Sequence, residues 1–305
     1  MEAPKEYYQR IKKARETYKN GDLLQAIRLF EDATSEIADE DDMLDLGILY
    51  LENNEIDKSQ MIINDVINTF PKHSRGYYCM GYVLEEISAY EKALVYYEKA
   101  YKLEKNNFKY AFALGKMYDE IGKKHEAKKC YKIAISLKED DFYSNLNLGS
   151  LYEKEGKLKL ALEYSKRAYE IDPEKAIVNY NLGVVYSRLS KYDLALEHYL
   201  NEIKLQDCYT FAYYNLGLLY KDVYKDYEKA KYYYLKGLYF AKEDVSLWYN
   251  LGCLYALLND YENAYQCLLM VCLKRNDSLS WIESDSELME FRKTKLYEKL
   301  RNGVE

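Results

Sequence analysis

The sequence predicts an all-α chain built from helical hairpins that stack on one another. Two periodic patterns and one scarcity predict it. Glycine recurs at a fixed interval inside apolar helical runs, a small, aromatic, small pattern follows each glycine about twelve residues later, and only 13 Gly and 3 Pro stand among 305 residues. Turn-rich sandwiches, barrels and collagen-like chains need far more of both.

Gly47, Gly81, Gly115, Gly149, Gly183 and Gly217 follow one another at 34 residues, and Gly252 comes 35 after Gly217. Leu-Gly-x-x-Tyr surrounds six of the seven, at 46–50, 114–118, 148–152, 182–186, 216–220 and 251–255. The second pattern reads Ala93, Tyr97, Ala100, then Ala127, Tyr131, Ala134, then Ala161, Ser165, Ala168. Spacings of four and seven define one helical face. Between the two patterns stand Asn54, Ser88, Gly122, Gly156, Ser190 and Asn259, and Pro71 or Pro173 follows the second, where a helix interior would not accept it. Each unit therefore reads as two helices, the glycine letting the second helix approach the first closely. One hairpin cannot bury both faces, so the units must stack.

The array is expected over residues 1–276. Its first, degenerate unit covers about 7–39, with Ala14 at the glycine position and Gly21, Ala26, Phe30 and Ala33 after it; later units start near 40, 74, 108, 142, 176, 210 and 245. The extra residue between 220 and 227 is expected to widen a turn locally. Residues 277–305 keep helical spacing without a glycine seam, and are assigned as helices capping the open last face.

The phase-locked Leu-Gly-x-x-Tyr and Ala-x-x-x-Tyr-x-x-Ala resembles the tetratricopeptide repeat family over about residues 7–275. Departures are Ser59, Ile63 and Val66 in one second helix, Leu84 for Tyr, and Glu202 and Gly237 for the last Ala. The resemblance implies a right-handed α-solenoid superhelix of about eight hairpins whose concave groove holds protein segments.

Lys and Arg number 44 against 51 Asp and Glu, a formal charge of -7. That balance argues against a phosphate-backbone binder, so no nucleic-acid partner is expected. No segment approaches the ~18 apolar residues of a membrane span and none resembles a signal-peptide core, which points to a soluble, cytoplasmic protein without membrane insertion. Six scattered cysteines without Cys-x-x-Cys read as reduced core thiols. Tyrosine is the outlier, 37 against 8 Phe, and suits walls that are half buried and half wet.

No nucleotide-binding glycine loop and no nucleophile elbow occurs, and His73, His125 and His198 lie in different repeats without a second ligand at helical spacing. No catalytic residue, metal or cofactor is expected. The acidic run from Glu36 to Asp45 reads as charge favouring a helix start, and Lys123–Lys129 as a solvated turn.

The distinctive constellation is an asparagine two residues before the glycine in four consecutive repeats: Asn147, Asn181, Asn215 and Asn250. That site lies ~160° round the helix from the glycine, away from the seam. Asparagine is a mediocre helix former, and an amide that both donates and accepts matches a peptide backbone. The alternative is that each amide bonds within the array. Cys79 and Ala113 hold the same site earlier. Just before it stand Tyr78, Phe112, Leu146, Tyr180, Tyr214 and Tyr249, either packing neighbouring first helices or forming side-chain pockets. Ile177, Val184, Arg188, Phe211, Leu218 and Asp222 complete the stripe.

Some peptide-binding arrays of the family carry such an asparagine row and use it on peptide backbones, which the resemblance carries over to these four residues. The chaperone-tail clamp of the family needs Lys before Asn, and Leu or Tyr stands there. The expected function is a non-catalytic adaptor that binds a peptide or protein segment through Asn147, Asn181, Asn215 and Asn250, with Tyr180, Tyr214, Tyr249 and Arg188. The alternatives are a peptide-sensing bacterial regulator and a substrate-recruiting subunit whose chemistry lies on a partner chain. Self-association stays open.

Overall fold

The computed structural model describes residues 5–206, 208–275 and 277–303; of the expected array and cap, residues 1–4, 207, 276, 304 and 305 lie outside the described residues. All described secondary structure is helical. The chain divides into two compact units, Met1–Leu151 and Tyr152–Glu305.

Unit 1 opens with four hairpins: α1 (Lys5–Lys19) with α2 (Leu23–Glu36), α3 (Glu40–Glu52) with α4 (Ile56–Thr69), α5 (Ser74–Glu86) with α6 (Tyr90–Leu103), and α7 (Phe108–Glu120) with α8 (Lys124–Leu137). Helix α9 (Phe142–Lys154) contains the division. Unit 2 continues with α10 (Leu158–Ile171), then α11 (Val178–Arg188) with α12 (Tyr192–Glu202), α13 (Phe211–Leu218) with α14 (Tyr227–Phe240), and α15 (Val245–Leu257) with α16 (Tyr261–Lys274). Short helices α17 (Ser278–Ser284) and α18 (Lys295–Asn302) close the chain.

The turn inside each hairpin has one recurring solution. Asn54, Ser88, Ser190 and Asn259 all take positive φ, between 56° and 61°, and Gly122 and Gly156 take 78° and 74°. This left-handed residue ends the first helix and reverses the chain; Gly and Asn reach it at least cost. Side-chain caps start several helices: Asp39 accepts from the N–H groups of Asp41 and Asp42, and Asp244 from those of Ser246 and Leu247.

The seam between the two helices is a ring lying on a glycine. A Cβ built at Gly81 would stand 2.7 Å from the Tyr97 ring and at Gly115 2.6 Å from Tyr131, and it would be closer still at Gly183 under Tyr199 and Gly217 under Tyr234. Where Ile63 and Leu268 replace the ring, the distances at Gly47 and Gly252 are 2.8 and 3.0 Å. A larger residue at these positions would force the facing side chain, or the helix that carries it, to shift. Flanking alanines in the second helices, among them Ala93, Ala100, Ala127 and Ala134, are fully buried. Tyr97, Tyr131 and Tyr234 are among the largest fully buried side chains, so a good part of the tyrosine excess is core rather than wall.

The extra residue after Gly217 is absorbed in the helix rather than in the connection. Leu219–Tyr224 form one wide π-helical stretch, and Lys225 at φ 55° then takes the turn. At the C-terminal end of unit 2, Ile282, Leu288, Phe291 and Leu300 are fully buried against α15 and α16. Arg292 donates to the carbonyls of Ile282 and Asp285 at 2.8 and 2.6 Å, satisfying the end of α17. No disulfide forms among the described residues; Cys79, Cys253, Cys267 and Cys272 are buried, and burial pushes the Cys79 thiol up to about 12.

Gly183→Leu is expected to lower the unfolding free energy by ~1–3 kcal/mol, because its side chain would enter the space of Tyr199. Urea denaturation followed by circular dichroism measures it, and a variant as stable as the parent would contradict the seam.

Candidate binding face

The first helices present their stripes on the side away from the seam. In α9, Asn147 is half-buried, and its Nδ2 donates to the Tyr131 hydroxyl at 3.3 Å. In unit 2, Asn181, Asn215 and Asn250 are likewise half-buried. The Asn215 amide lies beside the hydroxyl of Tyr180 and favours its ionised form, and Asn250 Nδ2 donates to the hydroxyl of Tyr214 at 3.4 Å. Each of these tyrosines belongs to the preceding repeat, so amide and phenol form a two-residue rung bridging neighbouring hairpins. An amide has two N–H donors and an acceptor oxygen, and the phenol that accepts from it still has a proton to give. Burial raises the pKa of Tyr180 and Tyr214, which keeps both hydroxyls protonated.

The rungs are not equivalent. Asn250 also donates to the Ser246 carbonyl at 2.9 Å, which engages both of its amide hydrogens inside the chain. Tyr249 beside it donates to Asp285 Oδ2 at 2.7 Å and meets the Trp281 ring at 5.9 Å, so the C-terminal helices cover the last rung. Arg188 is exposed, and its guanidinium is held by the Glu153 carboxylate at 2.5 Å and by the Glu153 carbonyl. The sequence could not place these partners, because each contact occurs once and has no period.

Glu202 is the residue that sequence reasoning missed. It replaces the small residue of the second-helix pattern and is fully buried. Its Oε1 accepts from the N–H of Ile177 and of Tyr209, both at 2.8 Å, and its Oε2 from that of Tyr180 at 3.1 Å. The carboxylate thus caps α11, whose preceding residue Ile177 sits at φ 77° without a side-chain cap of its own. Left-handed geometry is costly for a branched residue, and Glu202 compensates it while tying the 209 segment to the start of α11. The departure from Ala was legible; its purpose was not.

Unit 1 has a different first-helix face. Arg15 pairs with Asp42 and Asp45 at 2.8 Å, Arg75 with Asp41 at 2.8 Å and with Asp45, and Lys116 with Glu85. Charge pairs between neighbouring first helices stand where unit 2 has amides and rings.

Among the described residues, Cys253, Asp285 and Glu287 are the one group whose three potential metal donors lie within 4.8 Å of one another. Buried Lys221 already neutralises Glu287, at 2.9 and 2.7 Å from its two oxygens, and Cys253 points its thiol at Asp285. Burial raises the Cys253 pKa well above the usual thiol value, so the group reads as the hydrogen-bonded anchor of the C-terminal helices. His198 bonds Asn179 at 2.9 Å between the rings of Tyr169 and Tyr186, and burial lowers its pKa. No described helix is long and apolar enough to cross a membrane.

A tetratricopeptide repeat family model matches residues 74–107, 108–141, 142–175 and 245–269. No curated protein matches the chain. Among solved structures the chain is similar to that of the APC/C hetero-tetramer Cut9–Hcn1, at 18% identity and a TM-score of 0.67, over 89% of this chain and 52% of that one. It thus spans about half the length of that relative. It is also similar to Pseudomonas aeruginosa PilF, at 17% identity and a TM-score of 0.61, over 68% and 94% of the two chains. A third likeness is to YrrB, a tetratricopeptide repeat protein with an unusual peptide-binding site, at 24% identity and a TM-score of 0.50, over 61% and 96%. At these identities the likeness is one of fold.

Glu202→Ala restores the alanine that the preceding repeat has at this place, Ala168, yet it is expected to destabilise the chain by at least ~2 kcal/mol, since each orphaned buried N–H costs about 1–3 kcal/mol. Denaturant unfolding reads the loss, and parental stability would show that the cap is dispensable.

Proposed function

Since the chain is a tetratricopeptide repeat protein, we propose that it is a non-catalytic adaptor whose unit 2 holds an extended segment of a partner protein against its first-helix face. A scaffold for protein–protein interaction is the role this fold supports. The observation that carries the finer reading is the row of half-buried asparagines, each two residues before a glycine of the repeat, of which Asn147 and Asn250 reach a tyrosine hydroxyl of the preceding repeat. Asn181 and Asn215 are its centre, flanked by Tyr180 and Tyr214. Asn250 and Tyr249 close the row under the C-terminal helices, and Arg188 marks the other end. Asn147 holds the same register in unit 1. Main-chain bonds to the amides would give affinity and the rings selectivity. Peptide binding is a property of YrrB, whose fold this chain shares.

Asn181→Ala together with Asn215→Ala is expected to weaken capture of partners from native extract several-fold, each lost bond being worth about 0.5–1.5 kcal/mol. Quantitative mass spectrometry of the captured proteins, compared with a Tyr239→Ala control on the outward face of α14, provides the readout. Helical content and melting should hardly change. Undiminished capture, or a loss matched by the control, contradicts the reading.

A further inference from the structure

Unit 2 carries more than a row of amides. Beside Asn215 three rings form a shelf: Tyr180 and Tyr209 meet edge to face with centroids 4.7 Å apart, and Tyr209 stacks on Phe211 at 5.2 Å. Phe211 is 44% exposed and lies one turn before Asn215 on the same face of α13. Glu202 fixes the shelf by holding the N–H groups of both Tyr180 and Tyr209. A half-exposed ring series set in place by a buried carboxylate is a rigid apolar surface next to hydrogen-bond donors.

We propose that this shelf and the adjoining rungs take an uncharged, proline-containing segment of a partner protein in the polyproline II conformation. The proposal rests on the backbone-binding reading above and names the class of segment. Hydrogen-bond chemistry selects it first. Proline has no N–H, so such a segment brings mostly carbonyls, and the face supplies donors from the Asn215 amide beside the shelf and from the protonated hydroxyls of Tyr180 and Tyr214.

Charge selects it next. Arg188 on this stripe is paired with Glu153, and Lys221 with Glu287 at 2.7 Å and Asp222 at 3.5 Å, so both cations of the face are already held within unit 2 and neither is free to take an acidic segment. Spacing agrees as well. A polyproline II turn is three residues of ~3.1 Å, so a carbonyl returns to the same side every ~9 Å, close to the ~8–10 Å between packed neighbouring helices. An α-helix repeats every ~5.4 Å and a strand every ~6.6 Å, and both would drift out of register with the rungs. Aromatic grooves favour such segments because the stiff chain loses little entropy on docking.

The test is fluorescence anisotropy on the full chain with two labelled twelve-residue peptides, acetyl-(Pro-Pro-Ala)4-amide and acetyl-(Gly-Ser-Ala)4-amide. The proline peptide is expected to bind at least about five-fold more tightly, and Phe211→Leu and Tyr209→Leu, which remove a ring but keep apolar bulk, should each weaken it about five-fold. Tyr239→Ala should leave it unchanged, and melting curves of all variants should overlay. Equal affinity for both peptides, each still reduced by the Asn181→Ala, Asn215→Ala pair, overturns the proline preference while leaving the backbone-binding reading standing. Failure of the proline peptide to bind, or equal weakening by Tyr239→Ala, overturns it too.

Discussion

A tyrosine ring lying on a glycine is the contact on which the rest of the architecture depends. At Gly81, Gly115, Gly183 and Gly217 the second helix comes so near that a single methyl group would collide with the ring. That approach brings the small residues of the second helix into the core and leaves the hairpin thin enough to stack. Although the buried Tyr234 hydroxyl over Gly217 has no partner among the described residues, at Gly81 and Gly115 the close approach also favours tyrosine over phenylalanine. The ring is buried, but its hydroxyl reaches past the glycine: Tyr97 donates to Glu85 at 2.7 Å, and Tyr131 receives the amide of Asn147. A phenylalanine would fill the seam and leave these polar groups without their partner.

The candidate face inherits its order from that contact. Because the glycine turns towards the second helix, the residue two places earlier turns away from it, and the asparagines fall into a row without any further device. Under the proposed reading, the tyrosine hydroxyls that Asn147 and Asn250 reach in the preceding repeat hold those amides in rotation ready for a ligand. Pre-arranged donors lose less entropy when a segment docks than free side chains would. At the end of unit 2 Tyr249 and Cys253, with Lys221 from the repeat before, hold the C-terminal helices through Asp285 and Glu287.

Whatever repeats was legible in the sequence. The glycine interval, the small-residue face and the turn residues gave hairpins and stacking, and the left-handed φ at Asn54, Ser88, Ser190 and Asn259 is what such punctuation requires. The asparagine register was visible for the same reason. Contacts that occur once were not. Nothing in the spacing tells that Glu202 departs from alanine to cap a helix 25 residues earlier, or that Lys221 meets Glu287 across 66 residues. The surplus residue near 220 was visible, yet whether the turn or the helix would absorb it depends on the packing of Leu219 and Tyr220, both buried. The amides' tyrosine partners were hidden because the phenols sit one repeat away, where sequence gives a neighbour but no distance.

The most direct measurement is the NMR spectrum of the asparagine side-chain amides in 15N-labelled chain, recorded with and without the partner segment recovered by capture. If main-chain groups of the partner dock on the row, the Nδ2 signals of Asn181 and Asn215 shift and exchange more slowly with water, while the seam glycines stay in place. Unmoved amides, with shifts confined to the second-helix face, would contradict the account.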